Sequence, residues 1–297
     1  MFDQLFGNYL VDTKRITAEQ FAEVLAVQST VRVKLGLIAV AEKLMTMEQA
    51  DEVNRLQAVM DKRFGDIAVG KGYLTEEQIS AMLKKQGNIY MVFVQTLVDN
   101  NVLTLEEIEG ALVDYLQDME LASADKAVLM SGNIDDIINL FLPKADEVYA
   151  RVCGVAIRTI FRLIDSTARV GKAFWCGEYS TDRLAMQEMD GDMQSAIGFA
   201  GQGSCLLAIA NPYAMEEFAE VDLDALDAVG ELINNINGMF SSSLAKEGVE
   251  TDMIPPAFYD HPVKISGKRL CVFPIFIKND RLDFIVSIDD KLNVDKV

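Results

Sequence analysis

The stretch Asp227-Ala-Val-Gly-Glu-Leu-Ile-Asn-Asn-Ile-Asn-Gly-Met-Phe240 sets a run of polar side chains inside a strongly periodic apolar pattern. Leu226, Val229, Ile233, Ile236, Phe240 and Leu244 recur at steps of three and four, which aligns them on one face of a helix. The opposite face carries Asp227, Glu231, Asn234 and Gly238. Helical residues three apart have Cβ atoms roughly 5–6 Å from each other, so the Glu231 carboxylate and the Asn234 carboxamide can address one partner together. Gly238 lowers helix propensity beside them, and the expected reason for a glycine there is the close approach of another backbone. Asp222 or Asp224 caps the helix at its start, and Gly248 ends the helical run.

On either side the period changes. Residues 249–254, 270–277 and 282–288 are short, apolar and partly β-branched and predict strands, the last two joined through Lys278-Asn279-Asp280-Arg281. Upstream, 172–176, 194–200 and 205–210 carry the same signal, with the hairpin sequence Gly201-Gln202-Gly203-Ser204 between the last two. Asn211-Pro212 then offers an N-cap and a first-turn proline for a helix through Met215 and Phe218. Earlier still, an apolar pattern begins at Ile134, is interrupted at Pro143, and continues through Val148, Val152, Val155, Ile157, Ile160 and Leu163 as a long amphipathic core helix. Long helix, strands, helix, polar-faced helix, strands is an α+β order, with helices packed on one face of a mostly antiparallel sheet.

Gly230-Glu-Leu-Ile-Asn-Asn-Ile-Asn-Gly238 resembles the signature helix of the CheX branch of the CheC/CheX/FliY chemotaxis phosphatases. In that motif an Asp or Ser precedes a Glu by four residues, an Asn follows the Glu by three, a Gly follows the Asn by four, and a Pro comes about twenty residues later. Asp227, Glu231, Asn234, Gly238 and either Pro255 or Pro256 stand at those places, and the flanking order of elements is similar over roughly residues 135–290. The resemblance implies a CheX-like domain that acts on the phosphorylated receiver domain of a CheY-like response regulator and hydrolyses its aspartyl phosphate, in chemotaxis or two-component signalling. Glu231 and Asn234 would be its catalytic pair. Asn234, able to donate one hydrogen bond and accept another, would hold a water in line with the phosphorus, and Glu231 would pair with the receiver's active-site lysine. The receiver would supply the Mg2+, so no metal or cofactor would bind to this chain. The alternative is an adaptor that keeps the fold without turnover, its CheX-like domain docking a receiver or forming a homodimer and the helical repeats of the N-terminal third binding a partner protein or cyclic di-GMP.

Composition narrows the partners. With 27 basic against 46 acidic residues the net charge is −19, which opposes a grip on nucleic acid or anionic lipid. Cys153, Cys176, Cys205 and Cys271 lie far apart with no paired spacing, and the start Met1-Phe-Asp-Gln-Leu-Phe-Gly-Asn8 has no basic region before an apolar core. A reduced, cytoplasmic protein is expected. Apolar runs such as 271–277 fall short of the ~20 residues a membrane helix needs, so no membrane insertion is expected. The single histidine, His261, sits in a turn-like Tyr259-Asp260-His261-Pro262 and reads as exposed and without a catalytic role, and Trp175 reads as core or interface.

The first 117 residues repeat. Leu5-Phe6-Gly7, Lys34-Leu35-Gly36 and Arg63-Phe64-Gly65 open segments that close on Gln28, Gln57 and Gln86, so both ends recur every 29 residues. Each copy predicts a short helix, a break and a second helix started by Thr17, Thr46 or Thr75, with acidic residues in the first turn. A fourth copy follows at Leu103-Thr104-Leu105-Glu106-Glu107, with Val94 in the glycine's place. The prediction is an all-α domain over residues 1–130, a stack of four helical hairpins, ahead of the CheX-like domain at 131–297, with the boundary near the turn sequence Ser131-Gly132-Asn133. The repeats resemble the helical N-terminal domains of type II secretion and type IV pilus ATPases, in which the unit begins basic-Leu-Gly and ends in Gln, and some of which bind cyclic di-GMP. Here Arg63 is the only opening Arg, with Lys34 and Leu5 in the other places, and only Leu10 keeps the leucine three residues after the glycine. The expected roles are therefore structural, with glycines permitting close helix packing and Gln28, Gln57 and Gln86 capping helix ends.

Overall fold

The computed structural model describes residues 2–28, 33–60, 62–131, 133–144, 147–278 and 280–297. Gly132 and Asn279, named above in turn sequences, lie outside them. The chain divides into two compact units, Met1–Asn133 and Ile134–Val297.

In the first unit the repeat is visible as four helix pairs: α1 (Phe2–Asp12) with α2 (Ala18–Gln28), α3 (Leu35–Ala41) with α4 (Met47–Met60), α5 (Phe64–Gly70) with α6 (Glu76–Lys85), and α7 (Ile89–Asp99) with α8 (Leu105–Asp118). The second helices begin at 18, 47, 76 and 105 because the same capping box precedes each. The Thr17 amide donates to Gln20 Oε1 at 2.8 Å and Thr17 Oγ1 accepts from the Gln20 amide at 3.2 Å. Thr46 with Gln49 and Thr75 with Gln78 repeat the arrangement, and Thr104 with Glu107 completes it with a carboxylate. The turn inside each hairpin places one residue in the left-handed region, at Lys14 (φ 58°), Lys43 (57°), Gly72 (71°) and Asn101 (53°), the same register again. A short helix α9 (Lys126–Ser131) ends the unit.

The three repeat glycines occupy equivalent environments, each facing the residue fourteen positions on in its own hairpin. A Cβ at Gly7 would press into the Phe21 ring and one at Gly65 would lie 3.2 Å from an Ile79 methyl, while one at Gly36 would lie 3.7 Å from Ala50 Cβ and nearer still, 3.1 Å, to the Phe64 ring of the next hairpin. Two expectations change. The hairpins are not stacked in chain order, since α7 packs on α1 and α2, and Lys34 beside α3 bonds Gln95 and Asp99 of α7. The fourth hairpin thus contacts both the first and the second. Phe2, Phe6, Tyr9, Tyr90 and Tyr115 form the aromatic seam between the first and fourth. The helix-end glutamines, moreover, are Gln20, Gln49 and Gln78. Gln28 donates instead to Asp3 Oδ2 (3.2 Å) and Gln86 to the Val33 carbonyl (2.6 Å), which ties chain segments together.

The second unit begins with α10 (Ile134–Phe141) and α11 (Glu147–Leu163), the apolar pattern breaking around Pro143 as its missing N–H and fixed φ require. Nine strands follow: β1 (Arg169–Val170), β2 (Phe174–Thr181), β3 (Arg183–Gly191), β4 (Ser195–Gly201), then β5 (Thr251–Met253), β6 (Ala257–Tyr259), β7 (Val263–Ile277), β8 (Asp280–Ile288) and β9 (Asn293–Lys296). They form one sheet in the order β1-β7-β8-β4-β3-β5, with β2 and β9 also paired to β7 and β6 to β3, and every pairing among the described strands is antiparallel. Between β4 and β5 lie α12 (Gly203–Ala214) and α13 (Leu223–Ala245). The unit is the α+β fold expected, with α11, α12 and α13 covering one face. The other face curls over a core of its own strands, including Leu184, Met186, Val263, Ile265, Val272 and Ile285. Trp175 is half-buried on that sheet, with the Arg269 guanidinium 3.9 Å over its ring.

Several elements depart from expectation. Residues 205–210, expected as a strand, lie in α12, where Cys205, Leu206, Ile209 and Ala210 are buried at helical spacing. A short continuous apolar run fits both periods, and Leu and Ala here favour the helix. Asn211-Pro212 accordingly stands near the end of that helix, which stops at Met215 in the left-handed region (φ 55°), and the Asn211 side chain accepts from the Phe218 amide beyond it. No element is expected at α9, β1, β6 or β9 either, nor at the inner strand β3. It carries a residue central to the site.

Candidate functional site

The polar-faced helix is α13, capped by Asp222, whose Oδ1 accepts from the Ala225 amide at 2.9 Å. Leu226, Val229, Ile233, Ile236, Phe240 and Leu244 are all buried, against β3 to β6, α11 and α12. Burying such side chains contributes about 1.5–3 kcal/mol each, so the rotation of the helix about its axis is fixed by its apolar face. That rotation sends Asp227, Glu231 and Asn234 outward, and all three are exposed. The expected pair is therefore brought together on an accessible helix face. Among the described residues the Glu231 carboxylate has no hydrogen-bond or ion-pair partner; only its main-chain carbonyl is touched, accepting from the Tyr213 hydroxyl at 3.4 Å.

Asn234 is not left loose. Its Oδ1 accepts from Gln187 Nε2 at 2.9 Å, while Gln187 Oε1 accepts from Asn237 Nδ2 at 2.9 Å. Gln187 is 2% exposed on β3 and Asn237 is 0% exposed one turn along α13. The Asn234 amide nitrogen has no protein partner among the described residues and belongs to the exposed end of this relay. Neither Gln187 nor Asn237 is among the site residues expected from sequence. The available signal for Asn237 is its place in the buried stripe Gly230-Ile233-Asn237-Phe240-Leu244, where a carboxamide has to find a partner. For Gln187 the signal is fainter: a lone amide in the run Leu184-Ala-Met-Gln187.

The close approach expected at Gly238 of α13 is found at Gly230 instead. A Cβ at Gly238 would meet nothing within 4 Å, so no neighbouring backbone among the described residues explains it. Gly230 is where the helix is closely approached. A Cβ there would lie 2.7 Å from the Phe258 ring and 3.3 Å from Pro256 Cβ, which also identifies Pro256, of the two prolines, as the one packed on this helix. The remaining candidates are structural. His261 is half-exposed beside Asp260 at 3.1 Å, and this contact holds the Asp260 carboxyl below its usual range. Further along α13, the serines of Ser241-Ser242-Ser243, whose hydroxyls could be taken for nucleophiles, are engaged locally: Ser242 and Ser243 donate to the carbonyls of Gly238 and Phe240. In the first unit, Lys34, Gln57, Arg63 and Gln86 do line one hollow, but Asp66 and Glu76 line it with them.

Residues 183–272 match the family model described as chemotaxis phosphatase CheX. Within the roughly 135–290 over which the likeness is expected, the match runs from β3 through β4, α12, α13, β5 and β6 into β7 and takes in Gln187, Glu231 and Asn234 together. Solved structures similar to the chain include the chemotaxis protein CheX from Desulfovibrio desulfuricans (15% identity, 48% of this chain and 99% of that one, TM-score 0.43). Another is a CheC-like superfamily protein from Shewanella sp. PV-4 (18%, 48% and 96%, TM-score 0.42). A third is the CheX–CheY–BeF3–Mg2+ complex from Borrelia burgdorferi (17%, 48% and 97%, TM-score 0.39). No curated protein matches the chain. No helix among the described residues is long and apolar enough to cross a membrane.

Proposed function

We propose that the second unit hydrolyses the aspartyl phosphate of a CheY-like receiver domain, with Glu231 and Asn234 as its catalytic pair. The observation that carries this reading is their exposure side by side on α13, one as an unpartnered carboxylate and the other as a carboxamide held from behind. The match of residues 183–272 to a phosphatase family supports it. An aspartyl phosphate is a reactive acyl phosphate, so an outside protein has mainly to orient and place a water. In the step proposed, the water oxygen forms a bond to phosphorus as the bond from phosphorus to the aspartyl oxygen breaks. The receiver's carboxylate is regenerated and the water's proton leaves with inorganic phosphate. With one lone pair of Asn234 Oδ1 engaged by Gln187, the Nδ2 hydrogens are the groups free to bind the water oxygen. Glu231 pairs with a lysine of the receiver and fixes the docked geometry. The receiver's own Mg2+ neutralises charge on the phosphoryl oxygens, and this chain contributes no metal ligand. The open space at Gly238, on the same helix, lets a partner's backbone come close.

The test is the decay of CheY-type receivers phosphorylated with a small-molecule phosphodonor, followed with and without the protein. Faster decay is expected, and Glu231→Ala should raise the protein concentration needed for half-maximal acceleration by about tenfold, the loss of one intermolecular ion pair. Unchanged decay together with retained receiver binding would replace the phosphatase by a docking adaptor.

A further inference from the structure

Resting on the reading of Asn234 above, we propose that Gln187, braced by Asn237, is a positioning residue that fixes which end of the Asn234 carboxamide faces the receiver. An exposed asparagine on a helix is otherwise free to turn its amide plane and offer either oxygen or nitrogen outward. Here the choice is made in the interior. Gln187 is buried on an inner strand, its backbone opposite Ile197 of β4, and both polar atoms of its side chain are satisfied by asparagines three residues apart on α13. A relay of three carboxamides has only two directions. In the observed one the buried group left without a partner is Asn237 Oδ1. In the reverse one it would be the Asn237 amide N–H, and a buried orphan donor is the rarer, costlier defect.

Asn237 therefore donates inward, Gln187 turns its oxygen to Asn237 and its nitrogen to Asn234, and Asn234 must accept on Oδ1 and present its N–H groups to solvent. The interior dictates a donor at the docking face. A donor suits a water oxygen or a phosphoryl oxygen, where charge accumulates during transfer. The same relay removes the rotational freedom that Asn234 would otherwise lose on docking. Gln187 touches neither water nor phosphate in this arrangement; it acts through Asn234.

Two variants and two readouts test this. Gln187→Met keeps the length and removes both bonds, while Gln187→Glu keeps an acceptor for Asn237 and exchanges the donor to Asn234 for a carboxylate. With a phosphorylated CheY-type receiver at saturation, Gln187→Met should lower the maximal rate by about two- to tenfold, the value of one hydrogen bond, with half-saturation unmoved. Added to Asn234→Ala it should cost nothing further, because the residue through which it acts is gone. The deficit of Gln187→Glu should shrink as pH falls, since a protonated carboxyl can again donate to Asn234 Oδ1. Independently of activity, the side-chain NH2 resonances of Asn234 should move toward those of a free asparagine amide in Gln187→Met. Wild-type rates in Gln187→Met, an equal extra loss on top of Asn234→Ala, or unmoved Asn234 resonances would each overturn the proposal. If wild-type protein fails to speed decay, the phosphatase reading falls, and the resonances alone then decide whether Gln187 orients Asn234. If Gln187→Met does not fold, the pH profile and the resonances of Gln187→Glu decide in its place.

Discussion

Two sets of polar side chains, one in each unit, do different work. In the first unit Thr17, Thr46, Thr75 and Thr104 and their partners at Gln20, Gln49, Gln78 and Glu107 satisfy the backbone of the helix they start, three residues away in sequence. In the second, Gln187 bonds Asn234 and Asn237 across 47 and 50 residues of chain, and the Asn234 end of the relay emerges on a face where its amide nitrogen has no partner among the described residues. Polar groups that close a local backbone bond recur wherever that backbone recurs, and so they mark structure. A relay assembled from two elements and ending at an exposed amide has no such local purpose. It marks a place where a partner completes the bonding.

Changes at the relay and at Glu231 should therefore act on function, and changes at the glycines of α13 on stability. The largest effect is expected at the exposed end: Asn234→Ala removes the group that holds the water and leaves a good helix former. Receiver dephosphorylation should fall by roughly ten- to a thousandfold, about 1.4–4 kcal/mol of transition-state stabilisation, with an unaltered circular dichroism spectrum. The two glycines of α13 give the next contrast. Gly230→Val drives methyls into Phe258 and Pro256 and should destabilise the unit by about 1–3 kcal/mol in denaturant titration. Gly238→Ala meets open space in a helix interior and should instead stabilise it by about 0.5–1 kcal/mol. A loss of stability at Gly238 would mean that the open face is filled within the protein. The smallest effect is expected in the first unit: with Asp66 and Glu76 beside Arg63, calorimetry should detect no tight binding of cyclic di-GMP. Micromolar or better affinity, lost on Arg63→Ala, would make the repeat unit a ligand site and erase the contrast with the second.

What was legible in the sequence follows the same division. The four hairpins could be read because each start signal is local, with Thr, acidic first turn and Gln or Glu at one spacing. Their order in space could not, because the contacts of α7 with α1 and α2 rest on aromatic and apolar surface that carries no register. In the second unit the 3.6-residue period of α13 set both its buried and its exposed faces, and Glu231 and Asn234 came with it. Residues 205–210 misled because an unbroken apolar run has no period to read. Gln187 was hidden because its partners lie on another element, and a buried glutamine looks in sequence like any surface one. The expected close approach at Gly238 falls at Gly230 for the same reason: what presses on a helix glycine is decided by Phe258 and Pro256, which a local reading does not reach.

The central claim, that the Glu231 and Asn234 face of α13 dephosphorylates a receiver, is tested most directly by the release of inorganic phosphate from phosphorylated CheY-type receivers of the same organism. Wild-type protein and Asn234→Ala should be titrated in parallel at receiver concentrations where binding is complete. The account predicts that wild type accelerates release from at least one receiver and that Asn234→Ala binds that receiver equally well yet leaves it near its intrinsic rate. Acceleration that survives in Asn234→Ala, or none by wild type with any receiver, would contradict it.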